Sequence, residues 1–426
     1  MQNNVSKGLT VNKTLILIAL GMFTFMSTLD GSIVNIAMPI MSKELSVTAS
    51  QIEWVVSIYL IIISSLLMFF GRLGITTSSF PINQRGRAMG FIGTFVALGS
   101  VAGPAVGGLI LNYLPWNYIF WINVPIGIIA ILLGLKSLPK DVPVSANAPL
   151  DWLGTLEFVV FIVTFFFAIL RGQAIGYTHP IILGALLIAM VSIILFIRTE
   201  KQLKHPLLDF SIFKYSDFTF GLIAALLVFI NGFFYNVLMP YYLVNARGLS
   251  SGLSGVLLSI IPLTMVIFGP IGGVLADKFN STKITIIGVT LVLLAQFLIM
   301  GFQLDTPFWY FIFTSIVTGI GIGMFQSPNN ASVMSAVPSN RLGIAGSVNA
   351  LARNLGMILG VSISTSSLFL VMGAKLGRSI TTYPTGNDQL FIFGMHVAFM
   401  ISAALLVIAD LIVIQRWFVS KKKHKN

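Results

Sequence analysis

The stretch Thr14-Leu-Ile-Leu-Ile-Ala-Leu-Gly-Met-Phe-Thr-Phe-Met-Ser-Thr-Leu29 carries no charge, and the apolar run continues past a single acid, Asp30, to Pro39. A helix that crosses a bilayer needs about 20 predominantly apolar residues. The run is long enough, and no small-residue cleavage pattern follows it, so it reads as a retained first span. Eleven more runs follow. Together the spans lie near 14–40, 52–71, 88–111, 117–135, 152–170, 180–198, 217–243, 252–275, 283–302, 307–332, 344–371 and 390–415. Backbone polar groups find no water in lipid, so such segments must be helices or strands of a closed barrel. These are too long and too evenly apolar for barrel strands. The expected fold class is an all-α polytopic membrane protein with about 12 spans.

Composition points the same way. Of 426 residues, 56% are hydrophobic and 9% charged, against about 25% charged in a soluble globular chain. The absence of cysteine excludes disulfides, thiol nucleophiles and thiolate metal sites. The four histidines have no metal-ligand spacing. There is no hydrolytic triad. Gly321-Ile-Gly323 lies inside an apolar span and lacks the Lys-Ser/Thr of a phosphate loop. The chain is therefore not expected to be an enzyme, and no cofactor is implied.

A net charge of +12 could signal nucleic acid, but the placement of the charges argues otherwise. With the N-terminus in the cytoplasm and the spans alternating, nineteen of the 25 basic residues fall inside, among them Arg72, Arg85, Arg87, Lys278 and the tail Lys421-Lys422-Lys423. Five fall outside: Lys43, Arg171, Arg247, Lys375 and Arg378. Arg353 lies within a span. This asymmetry follows the positive-inside rule. It places both termini in the cytoplasm of a multi-pass plasma-membrane protein, with the tail as an anchor at anionic lipid.

The halves of the chain repeat. Asn35-Ile-Ala-Met38-Pro39 recurs as Asn236-Val-Leu-Met239-Pro240, 201 residues later. Thirty-two residues after each proline comes a glycine turn, Gly71-Arg72-Leu73-Gly74 and Gly272-Gly273-Val-Leu-Ala-Asp277-Lys278. Then the register breaks: Arg85-Gly86-Arg87-Ala88-Met89-Gly90 pairs with Arg341-Leu342-Gly343-Ile344-Ala345-Gly346 at an offset of 256. The first half is shorter by 256 − 201 = 55 residues, enough for two crossings. Repeated bundles with a site between them are typical of secondary transporters.

Several motifs carry a resemblance to the fourteen-helix drug:proton antiporters of the major facilitator superfamily. Leu29-Asp30-Gly31-Ser32-Ile33-Val34-Asn35-Ile36-Ala37-Met38-Pro39 resembles their first-helix signature, and Gln51-Ile-Glu53-Trp54 their second-helix start. Gly99-Ser-Val-Ala-Gly103-Pro104-Ala-Val-Gly107-Gly108 resembles the antiporter motif of the fifth helix. Trp116 through Gly127 resembles the start of the sixth, and Asp151-Trp152-Leu153-Gly154 that of the extra pair between the halves. At Gly74 the sequence jumps to what resembles the family's fourth-helix exit, so the third helix and most of the fourth are missing. The resemblance implies a major facilitator fold of two pseudo-symmetric bundles. An N-terminal bundle would occupy 1–135, an inserted helix pair with cytoplasmic loops 136–215, and a six-helix bundle 216–426.

The resemblance also implies site residues. Asp30 is the coupling candidate, with the proton as coupling ion: an ionised carboxylate in mid-membrane is costly, so it faces a cavity, pairs or titrates. The alternative is a structural acid satisfied by nearby hydroxyls. Arg353 lies on a stripe with Gly346, Asn349, Gly356 and Gly360, and either gates a cavity or forms a buried pair. Gly99, Gly103 and Gly107, with Pro104 and Gly108, pack a helix closely, and in the family such a face meets the other half. Gly71, Arg72, Gly74, Gly273 and Asp277 mark cytoplasmic gating loops, with a solvated loop acid as the plain reading of Asp277. Glu157 and Asp410 are lesser candidates for titration, and His396 reads as structural. The implied activity is export of small lipophilic or cationic compounds by a monomer in the lipid bilayer, without nucleic acid. The competing expectation is a shortened family member that inserts but does not cycle.

Overall fold

The computed structural model describes residues 13–73, 82–137, 151–203, 206–338, 341–378, 380, 382–384 and 386–423. The first half contains α1 (Lys13–Glu44), α2 (Ala49–Leu73), α3 (Ile82–Tyr113), the short α4 (Tyr118–Trp121) and α5 (Asn123–Ser137). The pair α6 (Trp152–Ile175) and α7 (Pro180–Gln202) follows. A 3₁₀ turn at Phe210–Lys214 leads into α8 (Ser216–Pro240), α9 (Ser251–Leu258), α10 (Ile260–Lys278), α11 (Ser281–Ile299), α12 (Phe308–Ser335), α13 (Leu342–Leu376) and α14 (Asp388–Lys423).

Among the described residues, nine helices are long and apolar enough to cross a membrane. The helices α1, α2 and α3, of 32, 25 and 32 residues, bring the crossings to the twelve expected. Edges move where local chemistry decides them. Pro39 lies inside α1, which runs on to Glu44. Arg85-Gly86-Arg87 lies in the first turns of α3 instead of a loop. The eighth span is broken at Ser259 into α9 and α10. After Pro240 the chain widens into a π turn, Tyr241–Ala246.

Polar side chains fix several helix starts by accepting from otherwise unpaired N–H groups. The Asp151 carboxylate accepts from Gly154 N–H at 2.9 Å, and the Asn280 side chain accepts from Thr282 and Lys283. Gly377, at φ 66°, ends α13 in the left-handed conformation that glycine adopts without strain.

In the first half, α1 packs against α2, α3 and α5. In the second, α8 packs against α12, α13 and α14, and α12 against α10 and α11. The halves meet where α2 lies on α13 and where α3 lies on α9 and α10. The pair α6–α7 packs on itself, with α6 against α2 and α13. Four crossings therefore precede the pair and six follow it among the described residues. For orientation, the end of the bundle away from Lys13 is called distal; Glu44, Ala49, Tyr113, Ser251 and Leu376 lie there.

Candidate functional site

The repeat seen in sequence is also a repeat in bonding. Asn35 donates its amide to the Gly31 carbonyl at 3.1 Å, and Asn236 donates to the Gly232 carbonyl at 3.0 Å. Both glycines face open space, with nothing within 4 Å of a Cβ placed on either. The offset of 201 also pairs Asp30 with Asn231. Asn123, in the last crossing of the first half, donates a short hydrogen bond to Asp30 Oδ1. Asn231 donates to Ser402, in the last crossing of the second half, at 2.5 Å. In each half the first helix is thus tied to the last by a polar pair, and in the second half Asp217 and Arg416 add another.

Asp30 is half-buried. Among the described residues it forms no ion pair, so Asn123 supplies a donor but no charge. One turn before it, Tyr59 of α2 donates to the Ser27 carbonyl at 3.1 Å. The hydroxyls of Thr24, Thr28 and Ser32 bond to carbonyls of their own helix. They do not reach the carboxylate, so satisfaction of Asp30 by neighbouring hydroxyls is not what the structure shows. The sequence singled out Asp30 but passed over Asn123, Asn231 and Ser402. The 201-residue offset was the signal that could have found Asn231.

The antiporter-motif glycines divide their work in a way that the shared-face reading did not foresee. Gly99, Gly103 and Gly107 face α1, inside the first half. A Cβ on them would lie 2.5 Å from the Phe25 carbonyl, 2.7 Å from Ser32 Cβ and 2.7 Å from Ile33 Cγ1. The contact with the other half is made by Gly108 and Pro104, against Gly255 of α9. A step of four keeps residues on one helix face, and Gly108 lies about 100° round from Gly107. The Ser259 hydroxyl adds a contact to the Val101 carbonyl at 3.4 Å.

Arg353 lies within α13, as expected, but among the described residues no carboxylate pairs with it. Its guanidinium lies over the Phe229 ring, 5.9 Å from the centroid. The small residues of its stripe do admit a neighbour: a Cβ on Gly356 or Gly360 would come within 2.6 Å of the α8 backbone. Asn349, on the same stripe, donates to Asn330 at 3.0 Å.

The glycine turns expected as gating loops are helical. Gly71 and Arg72 lie in the last turn of α2, and Gly273 and Asp277 lie within α10. A helix in lipid must keep bonding its own backbone until it reaches water, and this carries both helices through their glycines. Gly74 lies outside the described residues. Gly273 fits closely on Ser327 of α12, and Asp277 is exposed. Of the lesser candidates, Glu157 accepts from Thr199 at 3.2 Å and Asp410 from Thr290 at 3.2 Å. His396 bonds to the Phe302 carbonyl at 2.7 Å, the structural role expected of it.

Two helical halves, each with its own first-to-last tie and joined through α2 on α13 and α3 on α9 and α10, form the frame of a secondary transporter. Comparison with known proteins gives the family. The profile of the Major Facilitator Superfamily matches residues 72–361 and 221–426, and the chain belongs to that superfamily. The riboflavin transporter RibZ of Clostridioides difficile is 29% identical, over 91% of this chain and 96% of that one. The lincomycin resistance protein LmrB of Listeria innocua is 27% identical over 75% and 69%. The multidrug resistance protein Stp of Mycobacterium tuberculosis is 23% identical over 86% and 78%. RibZ is named as a transporter, LmrB and Stp as resistance proteins, and none of the three as an enzyme. Among solved structures, a transporter of the POT family superposes with a TM-score of 0.61 at 15% identity, covering 93% of this chain and 96% of that one. A bacterial homologue of the lysosomal transporter Spinster gives 0.56 at 15%, covering 96% and 97%. Both likenesses concern the fold.

The alignment with RibZ also bears on the register break. It spans 442 positions but draws on 91% of 426 residues, about 388, so about 54 positions find no residue in this chain. That is the size of the 55-residue shortfall in the repeat.

Proposed function

We propose that this chain exports small lipophilic or cationic compounds across the plasma membrane in exchange for protons, by alternating access of its two halves. The observation that carries the reading is Asp30: a half-buried carboxylate within a crossing helix, held by Asn123 and without a basic partner among the described residues. Such a group binds either a proton or a cation, and competition between the two at one carboxylate gives exchange. The open space beside Gly31 and Gly232 suits a cavity on the repeat axis. The relatives named for riboflavin, lincomycin and multidrug resistance support a small organic substrate. In this reading the protein works as a monomer with both termini in the cytoplasm, and needs no cofactor.

The test is efflux and resistance in a pump-deficient host, with riboflavin, lincomycin and lipophilic cations as substrates. Export that collapses with the proton gradient and is lost in Asp30→Asn is expected. A second reading, a shortened member that inserts but does not cycle, is favoured by the four crossings of the first half against six in the second. No export of any substrate by a well-expressed chain, and its appearance when two helices are restored after Leu73, is the result that selects it.

A further inference from the structure

Glu53 lies near the distal end of α2, on the seam where α2 packs against α13. It is 2% exposed, and neither carboxyl oxygen makes a hydrogen bond of ordinary length, although Thr365 lies close to it. Two polar groups of the other half face it: Thr365 of α13, and Tyr241 just beyond the end of α8. The Thr365 hydroxyl gives its proton to the Val361 carbonyl at 2.9 Å, within its own helix. That leaves the Thr365 oxygen as an acceptor. An ionised carboxylate needs donors or a cation, while a neutral carboxyl can give its proton to such an acceptor.

Among the described residues no cation pairs with Glu53, and Arg247, just beyond the π turn, lies over Tyr242 and Phe308. On α1, Asp30 is tied to Asn123, and Lys43 and Glu44 are exposed. On α6, Glu157 is bonded by Thr199 and Arg171 is exposed. On α13, Arg353 lies over Phe229 and Lys375 over Phe393. On α8, Asp217 is paired with Arg416 at the opposite end. Removing a charge from water without a partner is strongly unfavourable. With neither carboxyl oxygen hydrogen-bonded, the closed seam favours the neutral form of Glu53.

We propose that Glu53 is a proton-binding site in the seam: the distal ends of the two halves close on its neutral carboxyl, and loss of that proton to distal water opens them. Its place in coupling rests on the antiport reading above. A proton taken up from the distal side then closes that side, which is the return step an exporter of this kind requires.

The chain has no cysteine, so Ser57→Cys provides a single thiol. Ser57 is fully buried and lies one turn from Glu53 on α2. The full-length protein in nanodiscs is labelled with an impermeant thiol reagent, and the rate is divided by that of Tyr113→Cys, at an exposed distal position, to cancel the reagent's own pH dependence. The ratio is expected to rise about tenfold between about pH 6 and about pH 9 as the seam opens. In Glu53→Gln and Glu53→Met, each combined with Ser57→Cys, it should stay low throughout, while Glu53→Asp keeps a pH response. A ratio that ignores pH in the parent, or an unchanged pH response in either neutral variant, overturns the proposal. Efflux measured alongside separates the two readings. Intact pH-gated labelling without export refutes antiport alone, and proton-driven export with a pH-blind seam refutes the Glu53 site alone.

Discussion

Gly108→Ala tests the contact between the halves. A Cβ at this position would lie 2.6 Å from the Ser251 carbonyl and 2.9 Å from Gly255 Cα. Ordinary contact begins at 3.4 Å, so the closer gap is about 0.8 Å too small, and both obstacles are backbone, which no rotamer change removes. One methyl group must push α9 away from α3 and open the distal seam. Overpacking of this kind costs about 1–3 kcal/mol, which shifts a two-state equilibrium by about 5- to 150-fold. The assays are thermal stability in detergent and labelling of the Ser57→Cys thiol. Stability should fall and labelling should rise. Gly232→Ala is the control, because nothing lies within 4 Å of its Cβ, and its stability should match the parent or exceed it slightly through helix propensity. A Gly108→Ala protein as stable as the parent, with Ser57 equally protected, would refute the close approach of α3 and α9.

Two further outcomes concern the proximal end. Asn329 is 1% exposed; it donates to the Gly221 carbonyl at 3.0 Å and accepts from Arg416 at 3.1 Å. Asn329→Leu removes both bonds at nearly constant volume, leaving Arg416 with Asp217 alone, and should cost about 1–3 kcal/mol, read as a lower unfolding midpoint; an unchanged midpoint would show that water replaces the amide. Asp209, in the linker before α8, meets Arg341 at 3.1 Å. Partial burial works to raise its carboxyl, but the Ser211 hydrogen bonds and the Arg341 charge outweigh it and hold the group below the usual carboxylate range. A depressed carboxyl stabilises the fold above its unfolded value, about 3.9, and loses that contribution as pH falls through the lower folded value. The stability difference between the parent and Asp209→Asn should therefore be constant from about pH 5 to about pH 7 and shrink below about pH 4; a difference that grows on acidification contradicts the assignment.

Much of the fold was legible in the sequence because lipid imposes a one-dimensional rule. A crossing needs a set length of apolar residues, and Thr14–Leu29 meets it without reference to any other part of the chain. The repeat was legible because Asn35-to-Pro39 and Asn236-to-Pro240 keep the same local bond, a side-chain amide to a carbonyl one turn back. Glycine turns were harder. Gly71 and Gly273 suggested loops by composition, yet a glycine within an apolar helix stays helical when a close neighbour or lipid surrounds it, as Gly273 does against Ser327.

The site was only half legible. Asp30 stood out as a charge where charge is costly, but its partner, Asn123, is 93 residues away and was one polar residue among many. Arg353 stood out for the same reason, and its neighbour is an aromatic ring, which no charge rule predicts. Glu53 drew notice only as part of a motif. Its burial depends on α13 and the end of α8, some 190 to 310 residues later in the chain.

The first span quoted above therefore settled what its solvent is, and with its eleven companions it settled the helical class, the count of crossings and the repeat, because each depends on length, hydropathy and register within one strand of sequence. Tertiary structure alone decided that Gly99, Gly103 and Gly107 serve α1 while Gly108 serves the other half, and that Asp30 has Asn123 where Glu53 has Thr365 close by but no hydrogen bond of ordinary length. Those are facts about which faces meet, and a helix face chooses its neighbour through shape and charge in three dimensions, which no spacing along the chain records.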